Sequence, residues 1–207
     1  MDYGQSNEKV MIEGDSLEYE VFEEAIKRLQ NPIGATVEIG VRRGLGSKLI
    51  IDSFRKHHPN VKLNHLGIDP YGNIEYNPME AHKNVRLDYT NEMKRDAILD
   101  FTKDYPEFHL VCLEDTEFFK RFSDGYPVYD EYKIMLTKYD LVHFDGPHDL
   151  KSILQEVMFF DLRKANECIF VFDDILSYDH KKVDIYLKSY GYNLLFSGQR
   201  KAVYLYK

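Results

Sequence analysis

The sequence has no tryptophan, only two cysteines among its 207 residues, and no long hydrophobic run. Cys112 and Cys168 each lie inside an apolar segment typical of a β-strand, which predicts buried thiols and neither a disulfide nor a metal site. A membrane-spanning helix needs roughly 20 apolar residues in succession. The start of the chain, Met1-Asp2-Tyr3-Gly4, is polar and acidic, unlike a signal peptide. We therefore expect no membrane partner and a reducing, cytoplasmic location.

Acidic residues outnumber basic ones. The 35 Asp and Glu residues against 27 Lys and Arg give a formal net charge of −8. Proteins that coat nucleic acid need positive charge to neutralise phosphates, so the sequence argues against a nucleic-acid partner. A chain of this length can bury a sizeable core, and we find no repeat, linker or low-complexity segment. Residues 1–207 are therefore predicted to form one domain, with residues 1–14 as a loose start.

Short apolar segments alternate with amphipathic ones along the chain, which predicts a mostly parallel sheet with helices on both faces. Residues 70–90 have no clear period and are interpreted as a functional loop or disorder. Residues 126–138 are ambiguous, with an extra helix as one interpretation. The predicted strands are 35–39, 65–69, 109–113, 139–144 and 168–172, followed by a closing hairpin of 192–197 and 202–206. The predicted helices are a first one capped by Asp15, then 47–56, 91–105, a short one near 118–122, 149–160 and 181–189.

The stretch from Val37 to Ser47 joins a buried strand to a glycine-rich turn and a helix. A dinucleotide fingerprint needs glycine at the first, third and sixth places, but counting from Gly40 gives Gly40, Arg42 and Leu45. A P-loop needs Gly-Lys-Ser/Thr, whereas the order here is Gly46-Ser47-Lys48. Both phosphate motifs are thus excluded. The turn alone is equally compatible with another ligand and with none.

Acidic residues lie at the end of each predicted parallel strand or directly after it. One strand-end aspartate is ordinary, because it serves in turns and caps. A row of them indicates a site, because ligands of open α/β sheets bind outside the carboxyl ends of the strands. The acids are Glu38, Asp69, Glu114-Asp115, Asp145 and Asp173-Asp174.

The acid at the end of the first strand, with Gly40 and Gly44, resembles the first motif of class I S-adenosylmethionine-dependent methyltransferases. The resemblance extends from Asp15 to Lys207. It implies a Rossmann-like fold with a mostly parallel seven-stranded sheet, a C-terminal antiparallel hairpin, and S-adenosylmethionine as cofactor. The cofactor-binding positions that it implies are Glu38, Gly40, Gly44, Ser47, Asp69, Asp115 and Asp145.

Within that set, the resemblance assigns Glu38 to the ammonium group of the cofactor and Asp69 to its ribose hydroxyls. A carboxylate can accept hydrogen bonds from two neighbouring hydroxyls, so Asp69 suits that role. Asp115 is placed near the adenine, although Glu114-Asp115 is equally well interpreted as a helix N-cap. Arg42 and Arg43 stand where many methyltransferases have small residues, and are interpreted as solvated or as contacts to an anionic substrate.

A narrower resemblance rests on Asp145-Gly146-Pro147-His148 and Phe172-Asp173-Asp174. These motifs are similar to those of macrocin-type, metal-dependent O-methyltransferases of sugars and natural products. The resemblance implies a divalent cation at Asp145, Asp173 and Asp174, and His148 as general base beside Asp145. Three converging carboxylates repel one another without a cation between them, and an all-oxygen set suits Mg²⁺ best. A helix cap is the alternative role of His148.

The sequence thus predicts methyl transfer to a hydroxyl of a small molecule such as a sugar, with the 70–90 loop (Tyr71, Tyr76 and His82) over the substrate. Three alternatives remain: a metal-independent methyltransferase, a methyltransferase-like binding subunit without turnover, and a nicotinamide oxidoreductase. The glycine spacing disfavours the last of these. The sequence defines neither the substrate nor the oligomeric state. It is compatible with a homo-oligomer.

Overall fold

A seven-stranded sheet forms the centre of the molecule, and two short two-stranded ribbons lie outside it. The structure, a computed structural model, describes residues 14, 16–76, 80–81, 87–101 and 104–207. Most of the predicted loose start, the predicted helix cap Asp15, and His82 of the predicted substrate loop lie outside the described residues. The strands are β1 (Ala35–Ile39), β2 (Asn64–Ile68), β3 (Ile74–Tyr76), β4 (Leu87–Tyr89), β5 (Phe108–Val111), β6 (Tyr126–Tyr129), β7 (Lys133–Leu136), β8 (Tyr139–Phe144), β9 (Lys164–Phe172), β10 (Asn193–Ser197) and β11 (Ala202–Tyr206).

Helices follow most of the sheet strands, as the alternating pattern predicts. None of the helices in the described part of the chain is long and apolar enough to span a membrane. The helices are α1 (Val21–Ile26), α2 (Leu45–His57), α3 (Asn91–Phe101), α4 (Asp115–Arg121), α5 (Leu150–Asp161) and α6 (His180–Ser189).

The sheet has the strand order β10-β11-β9-β8-β1-β2-β5. β1 lies parallel to β2 and β8, β2 lies parallel to β5, and β8 lies parallel to β9. β11 pairs antiparallel with both β9 and β10. The predicted fold class is confirmed: a mostly parallel seven-stranded sheet that ends in an antiparallel hairpin.

Side chains alternate between the two faces of the central strands, and each face is covered by helices. Leu141, Ile169 and Val171 pack with α1 and α2, whereas Val142 and Phe170 pack with α5 and α6. Burial of each large apolar side chain contributes about 1.5–3 kcal/mol. This core holds the carboxyl ends of β1, β2, β5, β8 and β9 along one edge, where the predicted site residues follow them.

The ambiguous segment 126–138 is a β-hairpin and not an extra helix. Tyr126 of β6 pairs with Leu136 of β7, and Tyr129 pairs with Lys133. Val128 is buried and packs on the core. β-Branched and aromatic residues favour a pleated surface, and Pro127 cannot donate a backbone hydrogen bond within a helix.

The first helix is shorter than predicted, because residues 16–20 form bends and turns before α1 begins. Glu18 has a φ of 62°, outside the helical region. Its carboxylate accepts hydrogen bonds from the backbone N–H groups of Gln199, Arg200 and Lys201 at 2.8–3.0 Å. This contact ties the segment before α1 to the turn between β10 and β11, which a longer helix would not permit.

Candidate functional site

A cavity of about 230 Å³ lies at the carboxyl edge of the sheet. It is located where ligands bind in open α/β folds. Of the predicted cofactor residues, Gly40, Asp69 and Asp115 line it, and the loops after β1, β2, β5 and β8 all contribute to its wall. Ile39, Thr116, Gly146 and Pro147 line it as well.

Gly40 lets the loops after β1 and β8 approach each other. Its φ of 84° is left-handed, and a Cβ at this position would overlap the backbone carbonyl of Asp145. Gly44, with a φ of 93°, is the N-cap of α2. The turn is held from the other side by Tyr71, which is 6% exposed and whose hydroxyl donates to the carbonyl oxygen of Arg42. Glycine at position 40 is therefore a steric requirement of this edge.

Asp69 fixes the glycine turn from the end of β2. Its Oδ2 accepts from the backbone N–H groups of Val41 and Arg42, both at 2.9 Å, and its Oδ1 accepts from that of Tyr71 at 3.2 Å. Burial raises the pKa of Asp69 to about 6, against these backbone hydrogen bonds, which lower it. The predicted ribose-binding acid thus also shapes the loop that lines the cavity.

Glu38 and Ser47 lie behind the glycine turn, on the face of the sheet that α1 and α2 cover, and not in the cavity wall. The Ser47 hydroxyl donates to Glu38, whose other oxygen lies 2.9 Å from Nδ1 of His143. Ser47 Oγ also contacts His65 Nε2 at 2.9 Å, and His65 Nδ1 contacts Thr36 Oγ1 at 2.8 Å. Burial lowers the pKa of His65 to about 3, so this network contains a neutral imidazole.

His148 lies between two of the predicted acids. Its Nε2 is 3.7 Å from an oxygen of Asp145, and its Nδ1 is 3.9 Å from one of Asp174. Both ring nitrogens are buried and lack a hydrogen-bond partner among the described residues. Burial lowers the pKa of His148, although Asp174 and Asp173 raise it, so the ring can accept a proton at neutral pH. Asp149 caps α5 by accepting from two backbone N–H groups of that helix.

The paired aspartates already have cationic partners within the chain. Asp173 is 1% exposed and forms an ion pair with Lys201, which is 0% exposed. The Ser16 hydroxyl donates to Asp173 at 2.9 Å, and Arg200 pairs with Asp174. Although burial opposes ionisation, Lys201 lowers the pKa of Asp173. Each aspartate of the pair is therefore neutralised without an added ion.

Lys201 and Arg200 were not predicted as site residues. Their position could have been predicted from the pairing of β11 with β9, because Ala202 pairs with Phe172 in this antiparallel register. That register places Lys201 opposite Asp173, one step further along both strands. An antiparallel alignment of the predicted segments 202–206 and 168–172 is enough to bring the basic pair next to the acidic pair.

The predicted metal ligands do not fit a divalent cation in this arrangement. Both oxygens of Asp173 accept hydrogen bonds from side chains, and Asp174 is held by a guanidinium. Two positive side chains would repel a cation placed there. The group with ligand spacing in the described part of the chain is instead Glu38, His143 and Asp145, within 4.8 Å of one another. In that group, Glu38 and His143 are already hydrogen-bonded to each other.

Solved structures of methyltransferases share this fold at low sequence identity. The O-methyltransferase NovP is 14% identical, with 91% of this chain and 79% of NovP covered at a TM-score of 0.62. A methyltransferase from Geobacter sulfurreducens is 8% identical, with 93% and 82% covered at a TM-score of 0.59. The SAH-bound Podospora anserina methyltransferase PaMTH1 is 12% identical, with 94% and 80% covered at a TM-score of 0.55. No family model and no curated protein matches the chain. The chain therefore has the Rossmann-like fold of class I methyltransferases.

Proposed function

We propose that the protein is an S-adenosylmethionine-dependent O-methyltransferase that acts on a hydroxyl of a small molecule. The observation that carries this proposal is the position of His148, a buried imidazole with no hydrogen-bond partner in the described structure, directly after the cavity residues Gly146 and Pro147. A proton acceptor beside a ligand cavity is what methylation of a hydroxyl requires. The similarity of the fold to SAH-bound and O-methylating proteins supports the same function.

Different residues of the chain would bind the cofactor, accept the proton and stabilise the resulting charge. Gly40, Asp69 and Asp115 line the cavity that would hold the cofactor, which supplies a methyl group on a positively charged sulfur. His148 would take the proton of the substrate hydroxyl and so prepare its oxygen to accept the methyl group. Asp145 and Asp174 stabilise the imidazolium that results, at 3.7 and 3.9 Å from its nitrogens. Holding the two reactants close together would supply much of the acceleration.

We propose the metal-independent form of this reaction and not the Mg²⁺-assisted form that the narrower resemblance implied. The reason is the pairing of Asp173 with Lys201 and of Asp174 with Arg200, which occupies two of the three predicted ligands with cations of the chain. Because these cations belong to the chain, charge neutralisation at this edge does not depend on an ion from solution.

Replacing His148 with alanine tests the proposed base. We expect the rate of SAH formation with hydroxylated acceptors, sugars and phenols, to fall by about 10²–10⁴-fold, because general-base catalysis contributes that much. SAH affinity should stay close to that of the wild type. The wild-type rate should decline only below the ordinary histidine pKa of 6.5, because burial lowers the pKa of His148. The control is His57→Ala on α2, whose ring contacts Glu23 away from the cavity.

Two outcomes would contradict the proposal. An unchanged rate in His148→Ala would remove His148 as the base. SAH binding without turnover of any hydroxylated acceptor by the wild-type protein would instead favour a methyltransferase-like binding subunit.

A further inference from the structure

A buried carboxyl group without a hydrogen-bond donor lies behind the cavity wall. Glu156 of α5 is 0% exposed, and neither of its oxygens has a hydrogen-bond partner among the described residues. Its Oε1 lies 3.5 Å from the position that a Cβ on Gly146 would occupy, and Gly146 lines the cavity. A buried polar group without a hydrogen-bond partner destabilises the fold, so its presence behind the cavity wall indicates a role other than packing.

The neighbouring group is another carboxyl. Asp115 lines the cavity from the first turn of α4, and its Oδ2 is buried and also lacks a partner in the described residues. Its Oδ1 accepts from the backbone N–H of Thr116 at 2.7 Å. Burial, and then the charge and hydrogen bonding of Asp115, raise the pKa of Glu156 well above its usual range. Two buried carboxyls that interact with no donor between them are stable when they share one proton.

We propose that Glu156 is a positioning residue for the ligand, whose protonated carboxyl donates to Asp115 Oδ2 and so fixes Asp115 as a hydrogen-bond acceptor in the cavity wall. The ligand chemistry that such an acceptor selects is a hydrogen-bond donor such as an N–H group. Within the proposed function, on which this inference rests, that group is the exocyclic amine of the adenine. A 6-oxo purine presents a carbonyl oxygen at the same place and would meet the carboxylate without a hydrogen.

The matched variants are Glu156→Gln and Glu156→Leu. The amide of glutamine still donates a hydrogen to Asp115, whereas leucine fills a similar volume without a donor. Infrared spectroscopy of the ligand-free protein at neutral pH should show the carbonyl band of a protonated carboxylic acid, and Glu156→Gln should remove this band. A wild-type spectrum without the band would overturn the proton-sharing pair, whether or not the cofactor binds.

The second measurement is calorimetric titration with SAH and with its 6-oxo analogue, S-inosylhomocysteine. Wild type and Glu156→Gln should both prefer SAH, and Glu156→Leu should lose about tenfold in SAH affinity together with most of the preference. A full preference in Glu156→Leu, with SAH affinity unchanged, would overturn the role of Glu156 alone. No binding of either ligand by the wild-type protein would overturn the proposed function and, with it, the adenine assignment. The thermal unfolding midpoint of each variant separates a loss of affinity from a loss of fold.

Discussion

Replacing Lys201 with methionine is expected to lower the free energy of unfolding by about 3–5 kcal/mol, because the change leaves a buried carboxylate without its counter-charge. Lys201 is 0% exposed, pairs with Asp173, and donates to Ser16 Oγ at 2.9 Å. Its ammonium also lies 5.0 Å from the ring centre of Tyr19. Urea-induced unfolding measures the loss.

The control is Lys188→Met, which breaks an ion pair with Asp184 on the surface of α6. The Lys188 side chain is 54% exposed, so we expect its loss to be about 0.5 kcal/mol or less. The double variant Lys201→Met/Asp173→Asn should recover much of the stability, since the uncompensated charge is removed. A Lys201→Met loss as small as that of Lys188→Met would contradict the account of the site.

The ion pair of Lys201 with Asp173 also predicts how the difference in the free energy of unfolding between Lys201→Met and the wild type changes with pH. In the wild type the pKa of Asp173 is below its ordinary value of 3.8. The stability that the ionised Asp173 contributes is therefore fully present above pH 3.8 and is lost as the pH falls further. In the variant, burial without the cation raises the pKa of Asp173, and protonation on acidification relieves the penalty. The stability difference should therefore narrow as the pH is lowered from neutrality towards 4.

Replacing Gly40 with alanine is expected to cost about 3 kcal/mol or more and to abolish SAH binding, because the new Cβ would overlap backbone and not a movable side chain. Gly72→Ala is the matched control. Gly72 also has a positive φ, of 122°, but no atom lies within 4 Å of its hypothetical Cβ. We expect Gly72→Ala to cost about 1–2 kcal/mol, from backbone strain alone. Equal losses in urea unfolding would show that the contact between the loops after β1 and β8 does not constrain position 40.

The sheet was predictable because its strands are short apolar segments with clear ends. The predicted bounds of β1 and β8 match the structure at 35–39 and 139–144. The β6–β7 hairpin was not predictable, because residues 126–138 have neither a helical nor an alternating apolar pattern. The late start of α1 depends on hydrogen bonds from Glu18 to residues 199–201, which no local pattern reveals.

The site was predictable as a place but not in the direction of each side chain. Strand topology brings Asp69 and Asp115 to one cavity, as expected from acids at the strand ends. Glu38 is next to last in β1, and its side chain points into the face covered by α2, away from the cavity. The sequence indicates the burial of Glu156 only weakly. This acid lies three residues after Ile153 and one before Val157, two apolar residues that are buried in α5. Its neighbour Asp115 is distant in sequence, so only the structure relates the two.

Calorimetric titration of the chelator-treated protein with SAH, in the presence and absence of Mg²⁺, tests the proposed metal-independent site most directly. We expect saturable binding at one site with the same affinity in both conditions, because Lys201 and Arg200 neutralise Asp173 and Asp174 from within the chain. Affinity that appears only when Mg²⁺ is added would contradict the metal-independent site. No binding in either condition would contradict the methyltransferase function itself.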